Sequence, residues 1–255
     1  RVCLLLGPAP VPHRAAVTLT HPSPNYGERR GRGRVELVVL HYTAMPSCAD
    51  ALERLCDPVA EVSAHYLIDA DGTVLSLVDE GARAWHAGTG EWRGAGDVNS
   101  RSIGIELANT GAEPFAEAQM AALEQVLAGV LGRHGLGPEA VIGHSDMAPD
   151  RKGDPGPRFD WRRLALQGLS VWPDMTAPPP PHPSPTRGEG GASPDMAGFQ
   201  ADLRAFGYPE AAPGTLLTAF RLRFRPWGRG PLDAMDCTLA AGLRRFAVDA
   251  RPADA

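Results

Sequence analysis

Lysine is all but missing from this sequence: Lys152 is the only one, against 24 arginines. So uniform a preference reflects base composition of the gene, with arginine standing wherever either residue serves. The one position that keeps lysine is therefore a candidate for a place that needs a compact ammonium and not a broad guanidinium. Cysteine is sparse too. Cys3, Cys48, Cys56 and Cys237 are scattered with no C-x-x-C pair, which excludes a metal knuckle and a disulfide framework and leaves free thiols as the expectation. Long apolar runs are lacking, and none approaches the roughly 18 residues that a membrane span needs. There is no basic excess either: the net charge of -5 points away from nucleic acid. The chain starts at Arg1 followed by Val2-Cys3-Leu4-Leu5-Leu6, which reads as a trimmed N-terminus that resembles the end of a secretory signal and is too short to assign as one.

What is present is an ordinary globular composition, 43% apolar and 22% charged, over a length that suits one medium domain and one small one. Residues 1–34 lack hydrophobic periodicity and read as extended chain, the first 21 forming an arm. Val35 to Leu40 is a nearly continuous apolar run, as expected of a central strand covered on both faces, and it delivers His41. Ser47 and Asp50 have the spacing of a capping box opening a short helix through Leu55. His65 to Ile68 and Thr73 to Val78, joined by Ala70-Asp71-Gly72, predict a hairpin. Ser102 to Leu107 alternates, with Ile103, Ile105 and Leu107 on one face and Gly104 and Glu106 on the other. Glu117 to His134 has helical spacing and ends at Gly135, and Val141-Ile142 is a short strand leading straight into His144. The stretch Thr89 to Val98, rich in glycine, is expected to line a groove or to move.

From 173 to 195 proline dominates, predicting an extended, semi-rigid spacer in which His182 is simply solvated. Beyond it, three amphipathic helices are expected at Phe199–Phe206, Leu216–Phe224 and Asp233–Val248, a small second domain over 196–252. The fold class is thus α/β, a mixed central sheet flanked by helices over 22–172, plus a small all-α domain.

The densest local chemistry is Gly143-His144-Ser145-Asp146 through Arg151-Lys152-Gly153-Asp154-Pro155-Gly156, a Gly/Pro-rich loop directly after a strand, where scaffolds present functional groups. His144 and Asp154 alone fit a hydrogen-bonded pair as well as a metal site. His41, at the end of the central strand, supplies a third donor that the sheet can bring alongside. Two histidines and a carboxylate leave a fourth position for water, the pattern of a catalytic zinc site rather than a closed structural one. Glu106, opposite the isoleucines of its strand, is placed to move protons, and Lys152 to hold positive charge near a developing oxyanion.

These segments resemble a known family. Leu40-His41-Tyr42-Thr43, Val62 to Ile68, Arg83-Ala84-Trp85-His86-Ala87-Gly88, Asn99 to Glu106 and Gly143 to Gly156 are similar, in order, to the zinc-dependent N-acetylmuramoyl-L-alanine amidases of the second amidase family, relatives of the peptidoglycan recognition proteins. The likeness covers residues 22–172. It implies one Zn2+ held by His41, His144 and Asp154, with Glu106 as acid/base and Lys152 as transition-state stabiliser, in a hydrolase that cuts between N-acetylmuramic acid and L-alanine of peptidoglycan or muropeptides. Trp85, His86, His65 and Asn99 are candidate substrate contacts, with packing or support of the site the competing role for His65 and core packing that for Trp85. Asp160 stands before Trp161 where related proteins often have proline. The C-terminal domain is similar to a small helical peptidoglycan-binding domain, and Arg221, Arg223 and Arg225 are expected to be solvated, facing anionic wall polymer. The rival readings are a non-catalytic peptidoglycan recognition module, which relatives of that kind reach by losing a zinc ligand, and a zinc hydrolase of other amides. A peptidoglycan or muropeptide partner, a monomer, and a place in the cell envelope or periplasm, with the cytoplasm as alternative, complete the expectations.

Overall fold

The computed structural model describes residues 18–173 and 194–247. Residues 1–17 of the arm with Cys3, residues 174–193 of the Pro-rich spacer with His182, and the tail from 248 lie outside the described residues; the arm's Thr18–Thr20 is not loose chain but joins the sheet as an edge strand beside Val74–Ser76. Strands β1 (Thr18–Thr20), β3 (Leu37–Tyr42), β4 (Tyr66–Ile68), β5 (Val74–Ser76), β7 (Ser102–Leu107) and β8 (Val141–Gly143) form one sheet in the order β1-β5-β4-β7-β3-β8. It is mixed: β4 and β5 are the antiparallel hairpin the sequence predicts, with Tyr66 opposite Ser76, while β4, β7, β3 and β8 run parallel. A two-residue pair, β2 (Tyr26–Gly27) with β6 (Arg83–Ala84), lies apart from it.

Helix α1 (Cys48–Cys56) starts where Ser47 accepts the Asp50 N–H, as its capping residues dictate. A short turn, α2 (Val98–Arg101), leads into β7. Helix α3 (Glu117–His134) ends at Gly135 in the left-handed conformation, φ 63°. Its Met120, Leu123, Leu127 and Val130 cover one sheet face, on which Val38, Leu40, Ile103, Ile105 and Leu107 converge. Helix α4 (His144–Met147) follows β8 directly. Helix α5 (Trp161–Leu166) is N-capped by Asp160, which accepts the Arg163 N–H at 2.9 Å, so the aspartate in the place of proline makes its own helix start. No helix of the described residues is long and apolar enough to cross a membrane.

The continuous apolar run of β3 requires a second cover, and the C-terminal helices supply it. Helices α6 (Met196–Phe206), α7 (Pro213–Phe224) and α8 (Ala234–Gly242) share one apolar cluster with Leu37 and Val39 of β3, Ile142 of β8, and Trp92 and Met147. The third helix is shorter than its sequence pattern suggests; it stops at Gly242 and a 3-10 turn, Arg244–Phe246, follows.

Two sequence expectations are overturned here. The segment Thr89–Val98 neither lines the catalytic groove nor stands free: Trp92 is fully buried against Phe206 and Tyr208, and the Arg93 N–H donates to Gly207 O at 2.9 Å. A side chain at Gly207 would place its Cβ 2.6 Å from Trp92, so only glycine permits this seat. The second correction concerns the arginines of α7. Residues two apart on a helix do not share a face, whereas residues four apart do. Arg221, and Arg225 just past the end of the helix, turn together toward Asp236, with Arg225 also on Asp233, while Arg223 points the other way and is buried.

Candidate active site

Three neighbouring parallel strands bring the chemistry to their C-terminal ends, where open α/β sheets generally bind ligands. In register, His41 of β3 lies beside Glu106 of β7, and Leu40 beside Gly143 of β8, so His144, the first residue of α4, emerges on the other flank of His41. Asp154 arrives on the returning loop, which is tied to α4 by the Ser145 N–H donating to Asp154 O at 2.9 Å.

These placements bring His41 Nδ1 within 2.9 Å of both His144 Nδ1 and Asp154 Oδ2, and His144 Nδ1 within 3.0 Å of Asp154 Oδ2. The three side chains are buried and form the one candidate metal-ligand group among the described residues. The donor set fits zinc. His144 Nε2–H donates to Ala87 O at 2.9 Å, which in the neutral ring leaves Nδ1 as a lone pair aimed at His41 and Asp154. A tetrahedral ion with bonds of about 2.0–2.1 Å needs ligand atoms roughly 3.3 Å apart, so the triangle has only to open by a few tenths of an ångström. Burial first, and the neighbouring His144 second, push the His41 imidazole down to about 4, keeping it neutral as a ligand must be. Burial alone would raise Asp154; hydrogen bonding to His144 and His41 outweighs it and holds the carboxyl well below its usual range.

Behind His41 stands His86, its Nδ1 3.1 Å from His41 Nε2 and its Nε2 3.2 Å from Ser102 Oγ, which itself donates to Val98 O. The run fixes the outer nitrogen of His41 and hence the ring's orientation toward the metal position. It also explains a glycine inside a strand. At Gly104 a Cβ would stand 2.3 Å from His86 Cγ. Gly104→Ala is therefore expected to displace His86 and weaken zinc binding by about 10–100-fold, the usual cost of losing such support; isothermal titration of the metal-free variant with zinc measures it, and unchanged affinity would show that His86 carries no such role.

Glu106 is partly buried beside the triangle, and its Oε2 is among the buried side-chain oxygens of the described residues that have no hydrogen-bond partner. Burial, then the Asp154 charge, push its carboxyl up to about 8, with Lys152 acting in the opposite sense; a divalent cation nearby acts with Lys152. Lys152 is exposed and lines the same cleft, about 410 Å3 in volume, as do His41, Glu106, His144, Asp154 and Trp85. The cleft also takes in Arg151, whose guanidinium reaches the carbonyls of Ala87 and Thr89 outside it.

The four candidate substrate contacts divide. Trp85 lines the cleft. His86 borders it, yet both its ring nitrogens are engaged within the protein. His65 is fully buried elsewhere: its Nδ1 accepts the Gly104 N–H at 2.9 Å and its Nε2 lies 3.2 Å from Ala82 O, a support of strands as in the competing reading. Asn99 is buried as well, its Oδ1 accepting the N–H groups of His86 and Ala87 at 3.0 and 2.8 Å. Neither His65 nor Asn99 lines the cleft; Asn99 holds the backbone that presents His86, and His65 ties its own segment to Gly104 of β7. Sequence reasoning also missed Asp146, Tyr208 and Arg223 behind α4, because two of the three come from the helical module.

Two imidazoles and a carboxylate converge at the ends of parallel strands, with an unpaired glutamate oxygen alongside, in an arrangement that could hold a metal ion. Residues 31–157 match the N-acetylmuramoyl-L-alanine amidase family. The chain is 37% identical over 239 residues to the N-acetylmuramoyl-L-alanine amidase AmiD of Escherichia coli K12, covering 82% of each chain. It is also 37% identical over 173 residues to the 1,6-anhydro-N-acetylmuramyl-L-alanine amidase AmpD of Salmonella typhimurium SL1344, covering 61% of this chain and 92% of that one. E. coli AmiD, solved in complex with the substrate anhydro-N-acetylmuramic acid-L-Ala-D-gamma-Glu-L-Lys, superposes with a TM-score of 0.72 at 32% identity over 88% of this chain and 99% of that one. The structure of AmpDh3 from Pseudomonas aeruginosa in complex with anhydromuramic pentapeptide gives 0.70 at 29% identity over 88% and 95%. The likeness to AmiD extends past residue 173, so it takes in the helical module. The chain belongs to the N-acetylmuramoyl-L-alanine amidase family. It is an enzyme, an amide hydrolase.

Proposed function

We propose that this chain hydrolyses the amide between the lactyl group of N-acetylmuramic acid and L-alanine in peptidoglycan fragments, using one zinc ion held by His41, His144 and Asp154. The observation that carries the reading is the triangle of donor atoms 2.9–3.0 Å apart with the unpaired Glu106 oxygen beside it. Bound zinc would lower the pKa of a water and polarise the scissile carbonyl. Glu106 takes the proton of the attacking water as its oxygen bonds to the lactyl carbon, and returns a proton to the alanine nitrogen as the C–N bond breaks. Lys152 sets an ammonium at the cleft wall where the oxyanion develops. Trp85 offers an aromatic face to sugar or peptide.

The substrate on AmiD, an anhydro-muramyl tripeptide, and the anhydromuramic pentapeptide bound to AmpDh3 support soluble muropeptides as the substrate class. Residues 22–172 form the amidase domain on this reading and 196–252 its helical partner. All proposed site residues come from one chain, so a monomer suffices. The envelope is the compartment we assign, since the polymer and its fragments arise there; fractionation of cells expressing the full coding sequence tests that.

Stripping zinc with a chelator is expected to abolish release of intact stem peptide from anhydro-muropeptides, as read by mass spectrometry, and stoichiometric zinc to restore it. Cleavage within the stem, or full activity in the metal-free protein, would overturn the reading.

A further inference from the structure

The carboxylate of Asp146 is buried two residues beyond His144 and belongs to neither the ligand set nor the cleft. Its Oδ2 accepts the Gly143 N–H at 2.8 Å, which holds the first turn of α4, the turn that carries His144. Everything else that Asp146 bonds to comes from the helical module. Tyr208, just after α6, donates its hydroxyl to Oδ1, and Arg223 of α7 donates to Oδ2 at 2.5 Å. Arg223 is itself fixed: its Nη2 donates to Val141 O of β8 at 3.0 Å and to Ser170 Oγ at 3.2 Å, and its guanidinium lies 4.2 Å from the centre of the Trp161 ring. Burying an ion pair is costly in itself and is better explained by specificity of position than by stability. This pair joins the module to the one turn of the amidase domain whose orientation decides where a metal ligand points.

We propose that Tyr208 and Arg223 are positioning residues for the metal site: through Asp146 the helical module sets the angle of α4 and thereby the direction of His144 Nδ1. The module is a structural part of the active site, bonded across its back, in addition to whatever it does on its outer surface. The proposal rests on the zinc reading above.

The test is zinc affinity in the full chain, measured by competition with a chromogenic chelator, together with the melting temperature of each metal-free protein. Tyr208→Phe removes one hydroxyl and keeps the buried ring, so it is the variant expected to fold. It should weaken zinc binding by about tenfold, the scale on which supports of metal ligands act. Arg223→Lys keeps the charge and loses the forked contacts; it should fall between wild type and Arg223→Met. As a control, Leu239→Ala cuts a cavity in the module's core at α8, a helix that supplies none of the hydrogen-bond partners of the Asp146 carboxylate; it should lower the melting temperature and leave zinc affinity within twofold of wild type. Wild-type affinity in Tyr208→Phe overturns the proposal. So does a loss of affinity in Leu239→Ala that matches Tyr208→Phe at equal loss of melting temperature. Failure of the wild-type protein to bind zinc defeats the zinc reading itself and is seen before any variant is compared.

Discussion

Glu106→Gln is expected to lower kcat on an anhydro-muropeptide by about 10²–10⁴-fold, the range that a positioned acid/base contributes, while zinc affinity stays at the wild-type value. The amide is nearly isosteric with the carboxyl and lies outside the ligand triangle, so coordination is untouched and only the proton carrier is lost. A second readout has a definite sign. Burial, followed by the Asp154 charge, raises the Glu106 carboxyl to about 8 in the metal-free fold, against about 4.3 in an unfolded chain. Between those values the unfolded chain has released a proton that the native state still binds, so native stability falls as pH rises through that window. Glutamine does not titrate. The melting temperature of the metal-free variant should therefore equal or exceed that of wild type at pH 7, with the gap widening from pH 5 to pH 8. Loss of activity accompanied by loss of zinc, or a variant as fast as wild type, would remove Glu106 from the role given to it.

Deleting residues 174–255 is expected to yield an insoluble or molten amidase domain rather than a free-standing one. Read as sequence, the Pro-rich spacer marks a boundary at which a domain could be cut off. Structurally the cut would uncover Leu37, Val39, Ile142, Trp92 and Met147, all buried in the cluster shared with α6, α7 and α8. Each side chain of this kind is worth roughly 1.5–3 kcal/mol when fully buried, and the whole stability of a domain is only about 5–15 kcal/mol. Exposure of even part of that set exhausts the margin, before counting the lost partners of Asp146. The measurement is soluble yield and near-ultraviolet circular dichroism of residues 1–173. A well-packed, zinc-binding fragment would show that the amidase domain does not need its second cover.

Much of the site was legible before any coordinates because its residues sit where local rules are strong. His41 ends an apolar run that can only be a central strand, His144 follows a two-residue strand directly, and Glu106 falls on the polar side of an alternating segment; a strand's period of two leaves no freedom about which face each takes. The ends of α1 and α3 were equally plain, because a serine cap and a left-handed glycine act within one turn. Misreadings arose where a residue's partner is remote. Asn99, and His65 in one of the two roles the sequence leaves open to it, look like substrate contacts because they stand in motif-rich segments. Their hydrogen bonds instead run sideways, to the backbone of Gly104 and of His86 and Ala87. Arg223 read as solvated because a charged side chain on an amphipathic helix usually is; its pairing with Asp146, 77 residues earlier, leaves no trace in local pattern.

By itself, then, the order of residues determined the four inner strands of the sheet and the long helix, and offered His41, His144, Asp154 and Glu106 as candidates, since these follow from periodicity, capping and the chemistry of side chains at strand ends and in the loop after β8. Only tertiary structure decided that Trp92 and Arg223 bind the two domains into one core, that Gly104 makes room for His86, and that the second face of β3 is covered from the C-terminal side. The reason is physical. Backbone periodicity is imposed within a turn or a strand, whereas burial and ion pairing are imposed by whatever surface arrives from elsewhere in the chain, and that surface exists only once the sheet has assembled.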